Sequence, residues 1–369
     1  MTEFDSDYAA GEHRRLVRRR WWGGGAIAIA VVSASIFTMT PSPYVIEQPG
    51  PVFDTLSTAE SNGTEVPLIV IEGEPSYETT GALDMLTVSV RGNPDSPLSW
   101  AEAGFAWFSS TQTLVPMEAI FPPGQSTEQR KDQDQALMVS SQQDAIAAAL
   151  TNLGYDVPRS ITVQGFADAS PASGVLEEGD VIVQANGVQV NSVAALRSAI
   201  NDLAGASVPL KVTRSGRTLD LAVTPMQESD GTWVLGIGAK VEYRFPFTVT
   251  IQLDNVGGPS AGMMFALGII AKLTPGGDLT GGKHWAGTGT IDADGNVGPI
   301  GGIRQKLAGA RAAGAQYMLA PKDNCDEVVG HIPNGLDVFA VSTLADAKAI
   351  VTAVASGADT SQFARCTSS

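Results

Sequence analysis

The sequence predicts a multidomain α+β chain behind an N-terminal transmembrane helix, on three observations. Strand-like runs alternate with helical runs over most of the length. An uncharged run from Trp21 to about Thr40 follows a cluster of arginines. A glycine-rich turn, Gly257-Gly258-Pro259-Ser260-Ala261-Gly262, stands directly before a helix that is apolar nearly all round, the mark of a helix buried in a core.

The 369 residues carry 43% hydrophobic content, enough for two or three cores. A net charge of −16 argues against nucleic acid as a partner. Cys325 and Cys366 match neither a zinc site nor a redox Cys-x-x-Cys pair. Outside the cytosol they could form a disulfide, which the sequence leaves open.

Residues 1–20 are a polar tail ending in Arg14, Arg15, Arg18, Arg19 and Arg20. Residues 21–40 are long enough to cross a bilayer, for which about 20 apolar residues suffice, and Trp21 and Trp22 suit its interface. A cleaved signal peptide shares this layout, but no small-x-small cleavage site follows and the apolar part is long for a signal core. With the arginines held in the cytoplasm, the expectation is a single-pass cell-membrane protein whose body faces outward. Residues 41–152 then read as an extracytoplasmic linker and β-rich region. It holds a proline-rich start, strand-like runs at Val66 to Glu72 and Leu86 to Val90, and a loop-rich stretch over 92–128. In that stretch Trp100, Trp107, Met117 and Phe121 could pack on the domain or touch the membrane, and packing is the favoured expectation. A helix with a serine cap follows, from Ser140 to Leu153.

Residues 153–230 run through a Leu153-Gly154-Tyr155 loop, a strand Ile161 to Gly165, Ser170-Pro171-Ala172-Ser173-Gly174, Gly179-Asp180-Val181-Ile182 and an Asn186-Gly187 hairpin turn. A helix near Val193 to Ile200 and a strand Val208 to Thr213 complete the segment. This order resembles a PDZ domain of the kind attached to bacterial proteases. The resemblance implies a groove in which a peptide adds as a strand, its C-terminal carboxylate held by backbone amides of the loop at Leu153, Gly154 and Tyr155. Pro158 follows so closely that the pairing strand there must be short.

Residues 231–356 form the last domain, ahead of a tail over 357–369. An alternating run, Phe245 to Leu253, feeds the glycine-rich turn, and the apolar helix Ala261 to Lys272 follows. A hairpin over 286–300, a helix from Ile303 to Arg311, strands at Tyr317 to Ala320 and Val338 to Val341, and a final helix from Thr343 complete it.

Small residues around Ser260 let a substrate backbone come close, which suits a nucleophile, although a tight turn capping a helix accounts for the same residues. The stretch also fits the G-x-S-x-G elbow of α/β-hydrolases. That reading needs a histidine from His284 or His331, and parallel strands that would have to come from a segment already read as PDZ. A buried, neutral lysine is the other activator of a serine. Lys306 is the candidate, one turn into a helix among Ile300, Ile303 and Leu307.

Gly-Gly-Pro-Ser-Ala-Gly, Gly-Thr-Gly-Thr-Ile and Gly-Pro-Ile-Gly-Gly-Ile-Arg-Gln-Lys occur in that order. Together with Ala-Arg-Ala-Ala-Gly-Ala they resemble the proteolytic domain of the Lon proteases over about residues 240–350. The resemblance implies a serine endopeptidase with Ser260 as nucleophile, Lys306 as general base and Thr288 bonded to the lysine. Backbone amides at Gly258, Ser260 and Ala261 would hold the oxyanion. Two positions depart from the pattern: Gly257, where many relatives carry an acid, and Thr290, in place of the usual glutamate. No Gly-x4-Gly-Lys-Ser/Thr motif occurs in the chain, so the expected activity is independent of ATP, and the Ser-Lys mechanism implies no metal or other cofactor. The combination resembles membrane-anchored, PDZ-containing Lon-like proteases of Gram-positive bacteria. Expected substrates are flexible or unfolded protein segments, with the PDZ groove binding tails or regulating access. The alternative is a catalytically silent PDZ scaffold that binds protein tails at the membrane. Lon-type domains often form rings, yet no segment here signals assembly, and a homo-oligomer stays open.

Overall fold

The computed structural model describes residues 31–367 except 33, 34, 36, 62, 255 and 277. A first group of elements comprises β1 (Tyr44–Asp54), β2 (Ile69–Glu72), β3 (Ala82–Arg91), α1 (Trp100–Trp107), β4 (Thr113–Pro116) and the long helix α2 (Thr127–Asn152). A second comprises β5 (Arg159–Phe166), β6 (Val181–Ala185), α3 (Val193–Asn201), β7 (Val208–Arg214), β8 (Arg217–Val223) and β9 (Ile237–Tyr243). The third begins with β10 (Thr248–Ile251), α4 (Gly262–Leu273), β11 (His284–Gly287), β12 (Thr290–Ile291) and β13 (Val297–Gly298). It ends with α5 (Ile303–Ala312), β14 (Tyr317–Pro321), α6 (Cys325–Val328), β15 (Asp337–Val341) and α7 (Leu344–Ala355).

The largest core surrounds a sheet ordered β15-β14-β11-β3-β1-β4. Its β3, β11, β14 and β15 are parallel neighbours, while β1 pairs antiparallel with both β3 and β4. The segment 41–152, read from sequence as a region ahead of the other domains, thus supplies three of the six strands. The reason is burial on both faces. Leu83 and Met85 of β3 pack with Met263 and Phe265 of α4, while Leu86 joins Ile303 and Leu307 of α5 on the other side.

The second sheet is ordered β8-β7-β6-β5-β9, and Leu196 and Ile200 of α3 close its core with Ile161, Val163, Ile182 and Val212. Residues 237–243, assigned from sequence to the last domain, belong here, since β9 pairs antiparallel with β5 from Ile237 opposite Phe166 to Tyr243 opposite Arg159. The alternation of β9 is that of a strand with one covered face.

Helix α2 begins at Thr127, well before the expected Ser140, because Ser126 and Gln129 form a capping box ahead of its polar, exposed first half. An apolar pattern appears only where Ala145 to Leu150 enter the core, so the earlier turns are hidden from periodicity. Trp107 does not pack as expected. It is 75% exposed, with Phe105 and Phe108 beside it at the solvent end of α1.

The single-pass cell-membrane assignment is overturned. Among the described residues no helix is long and apolar enough to cross a membrane. Residues 21–30 of the proposed span lie outside the described residues, and the helical positions described from 31 to 39 are too few to span a bilayer. The pairing left open for Cys325 and Cys366 is made, a disulfide that joins the start of α6 to the C-terminal tail.

Candidate active site

Strand β10 lies antiparallel on β2, Thr248 opposite Glu72 and Ile251 opposite Ile69, and delivers the chain into the turn that ends at Ser260. Helix α4 then enters the core with Met263, Met264 and Phe265 fully buried, which fixes the position of the serine at its start. Helix α2 holds the turn from the side. Its Ser141 hydroxyl donates to the Pro259 carbonyl at 3.0 Å, and its Asp134 carbonyl accepts from the Gly258 N–H at 2.8 Å. A Cβ on Gly257 would lie 2.8 Å from the Asp134 Cβ, so the approach of α2 excludes a side chain there. That accounts for glycine at the position where an acid was expected.

The strand-to-helix turn opposite is equally constrained. Asn324 brackets Ile300, accepting from its N–H and donating to its carbonyl, each at 2.9 Å. Gly302 then opens α5 with φ at +67°, and a Cβ there would strike the Val88 side chain at 2.6 Å. Helix α5 lies over β1 and β3, and Gln305 donates to the Thr113 hydroxyl of β4 at 2.7 Å.

Lys306, only 2% exposed, points from α5 to the serine. Its Nζ lies 2.9 Å from the Ser260 Oγ and 2.9 Å from the Thr288 Oγ1. The Thr288 hydroxyl in turn donates to the Ser260 carbonyl at 2.9 Å, which also accepts from the Gly289 N–H at 2.9 Å. Burial pushes the Lys306 ammonium down to about 7, and the negative charge of Glu47 acts in the opposite direction. A neutral lysine in this position can accept the serine proton while donating to Thr288.

The structure therefore brings Ser260, Lys306 and Thr288 into direct contact. Among the three expected oxyanion amides, Gly258 is already engaged by Asp134, whereas the Ser260 and Ala261 N–H groups have no acceptor among the described residues. His284 bonds Asp84 at 2.6 Å and the exposed His331 lies by the Val329 carbonyl at 3.2 Å, so no Ser-His-Asp arrangement with Ser260 is built among the described residues. Thr290 lies in β12, opposite Gly298 of β13.

The Leu153-Gly154-Tyr155 loop is not beside the groove expected of it. Tyr155 donates to Glu74 at 3.1 Å and meets the Phe247 ring edge-on at 5.2 Å, while Leu153 packs on the core around α4. The residues after it form no strand before Arg159, and β9 occupies the position beside β5. The outer edge of β9 has no strand partner among the described residues, and α3 lies next to it. Leu235-Gly236-Ile237-Gly238 leads into that strand, with Gly236 at φ +66° and Trp233 tied to Asn201 of α3. This second Leu-Gly was missed in the sequence. Its signal was the alternating run that follows it, where Pro158 follows the first. Glu47 and Ser141 carried no signal, because their partners are far away in the chain.

Residues 255–353 match the family description of the Lon protease (S16) C-terminal proteolytic domain, and residues 124–224 match that of the PDZ domain. The Lon protease of Azospirillum brasilense is 38% identical over 92 residues, covering 24% of this chain and 11% of that protein. That of Roseiflexus castenholzii is 42% identical over 71 residues, covering 19% of this chain and 8% of that protein. The chain thus spans about a tenth of the length of these curated relatives. A solved PDZ domain of an SdrC-like protein from Listeria monocytogenes is 22% identical and covers 21% of this chain and 85% of that one, with a TM-score of 0.20, too low to carry an argument. The chain carries a serine peptidase domain of the Lon type together with a PDZ domain.

Proposed function

We propose that the chain is a serine endopeptidase working through a Ser260–Lys306 dyad, without ATP, on flexible or unfolded protein segments. The observation that carries this reading is the buried Lys306 Nζ at 2.9 Å from both the Ser260 and Thr288 hydroxyls. Neutral Lys306 takes the Ser260 proton as Oγ bonds to the peptide carbonyl carbon. The Ser260 and Ala261 amides receive the oxyanion. The lysine ammonium gives its proton to the leaving amine as the C–N bond breaks, leaving an ester on Ser260. Water, deprotonated by Lys306, attacks the ester, and the proton returns to Oγ as the acid product leaves. Thr288 holds the lysine in reach of the serine.

Independence of nucleotide rests on the lack of a Walker A motif in this chain, and restricts substrates to segments that need no unfolding. Tail binding is assigned to the free edge of β9 beside α3, with Leu235 and Gly236 at the carboxylate end. The test is cleavage of an unstructured fluorogenic polypeptide in nucleotide-free buffer. Wild type turns over, and Ser260→Ala and Lys306→Ala each lose at least about 1,000-fold. Wild-type turnover by either variant sinks the dyad, and a requirement for ATP sinks the nucleotide-free reading.

The engaged Gly258 amide favours a second reading, a silent scaffold that only binds tails. A serine-reactive fluorophosphonate discriminates. Stoichiometric labelling that is lost in Ser260→Ala excludes the scaffold, and no labelling supports it.

A further inference from the structure

A carboxylate that no motif announces lies on the sheet beneath α5, the helix that carries Lys306. Strand β1 places Glu47 directly opposite Val90 of β3 and Thr113 of β4, and residues opposite one another share a face of a sheet. That face is the one under α5. Thr113 accepts from Gln305, the residue before Lys306. Val88, two residues from Val90 and so on its side of β3, meets Gly302 at the start of α5. Pro49, two residues from Glu47 on β1, lies 3.7 Å from where Gly309 would carry a Cβ, one helical turn beyond Lys306. Glu47 is therefore held half-buried beneath the turn of α5 that carries the lysine.

We propose that Glu47 is a positioning residue for the Lys306 base, supplying the negative charge against which the lysine keeps the proton it takes from Ser260. This rests on the dyad reading above. The physical need is clear: a lysine at 2% exposure loses its water, and burial alone makes it a poor proton acceptor. A nearby carboxylate restores basicity without touching the substrate. The other ionisable groups near this face are accounted for. Glu327 of α6 acts on Glu47 itself, and Asp84 of β3 is bonded to His284. Burial holds the Glu47 carboxyl above its usual range, Glu327 pushes the same way, and Lys306 opposes both.

The test is the pH profile of kcat/KM for peptide cleavage by the full chain, comparing wild type, Glu47→Gln and Glu47→Asp, with folding followed by circular dichroism. Removing the charge makes the lysine less basic, so the acid limb of Glu47→Gln moves to lower pH. One pH unit below the wild-type midpoint it retains about twofold or more of its own plateau relative to wild type. Its plateau falls severalfold, as expected for a weaker base, and Glu47→Asp returns the limb towards the wild-type position. An unmoved limb in Glu47→Gln overturns the proposal whatever the plateau does. If Glu47→Gln does not fold, the limb of Glu47→Asp decides alone. The longer gap to the lysine moves it part of the way down, and no movement overturns the proposal. Failure of the dyad reading is separate, because Lys306→Ala would then retain turnover.

Discussion

Tyr243, the last residue of β9, donates its phenol to the Oδ1 of Asp144 on α2 at 2.5 Å. Helix α2 also carries Ser141 and Asp134, which hold the turn before Ser260, so a single helix joins the edge of the PDZ-like sheet to the nucleophile. A second tie runs in parallel, from Arg159 of β5 to Asp294 in the turn between β12 and β13 at 2.6 Å. Burial holds the Asp144 carboxyl above its usual range, and the Tyr243 bond works against that.

Tyr243→Phe is expected to cost about 1 kcal/mol of stability, because the half-buried carboxylate loses its donor. Urea unfolding at neutral pH measures it. A variant as stable as wild type would show that water replaces the phenol at no cost and that the tie is not energetically significant.

Ser141→Ala removes the bond to Pro259 without adding volume. The expected result is a fall in kcat of about fivefold with KM nearly unchanged, since the serine backbone loses one fixing point while the substrate surface stays intact. Steady-state kinetics on the same peptide decide it. A change confined to KM would place Ser141 in binding instead.

Gly257→Asp restores the acid that many Lon proteases carry, and here it is expected to damage the protein. Its Cβ would meet Asp134 at 2.8 Å, and the two carboxylates would face each other across that contact. A loss of about 1–3 kcal/mol follows from the overpacking, together with displacement of α2 from the serine turn. Thermal unfolding and peptide turnover measure the two effects. Wild-type values for both would mean that α2 is not seated against Gly257 in solution.

Lys306 gives stability a pH dependence of known sign. Its ordinary value is 10.5 and its folded value about 7, so between these the unfolded chain binds more protons than the folded one. Stability contributed at this site therefore rises as pH increases from about 7 towards 10.5, and is flat below that window. Lys306→Met lacks the penalty and is expected to be more stable than wild type at pH 7 by up to about 4 kcal/mol, the gap narrowing as pH approaches 10. Urea midpoints at several pH values test it, and a gap that does not change with pH contradicts a buried, neutral lysine. The same depressed value predicts that peptide cleavage rises through about pH 7 as Lys306 loses its proton.

Local pattern made much of this chain readable. The apolar run of α4 announced a buried helix with Ser260 at its head, and the spacing of Gly301, Gly302 and Lys306 placed the lysine one turn into α5. Asn186 and Gly187, both with positive φ, made the turn their residue types require. These features depend on neighbours within a few residues, where periodicity and backbone preference act directly.

What the sequence did not contain were contacts closed over long separations. The contact of Lys306 with Ser260 joins residues 46 apart, and that of Ser141 with Pro259 joins residues 118 apart. The sequence offered Leu153-Gly154 as the end of a peptide groove, whereas the pairing of β9 with β5 sets Leu235-Gly236 at the head of the edge strand and leaves Leu153-Gly154 on the other core. Glu47 is an unremarkable acid in a strand until β1 takes its register against β3 and β4, and the depressed basicity of Lys306 exists only once α5 is packed down on that sheet. Sequence determined which residues could do the chemistry, because reactivity belongs to the side chain. Tertiary structure decided which of them meet, and how dry and how charged the meeting place is, because burial and field are properties of the packed chain.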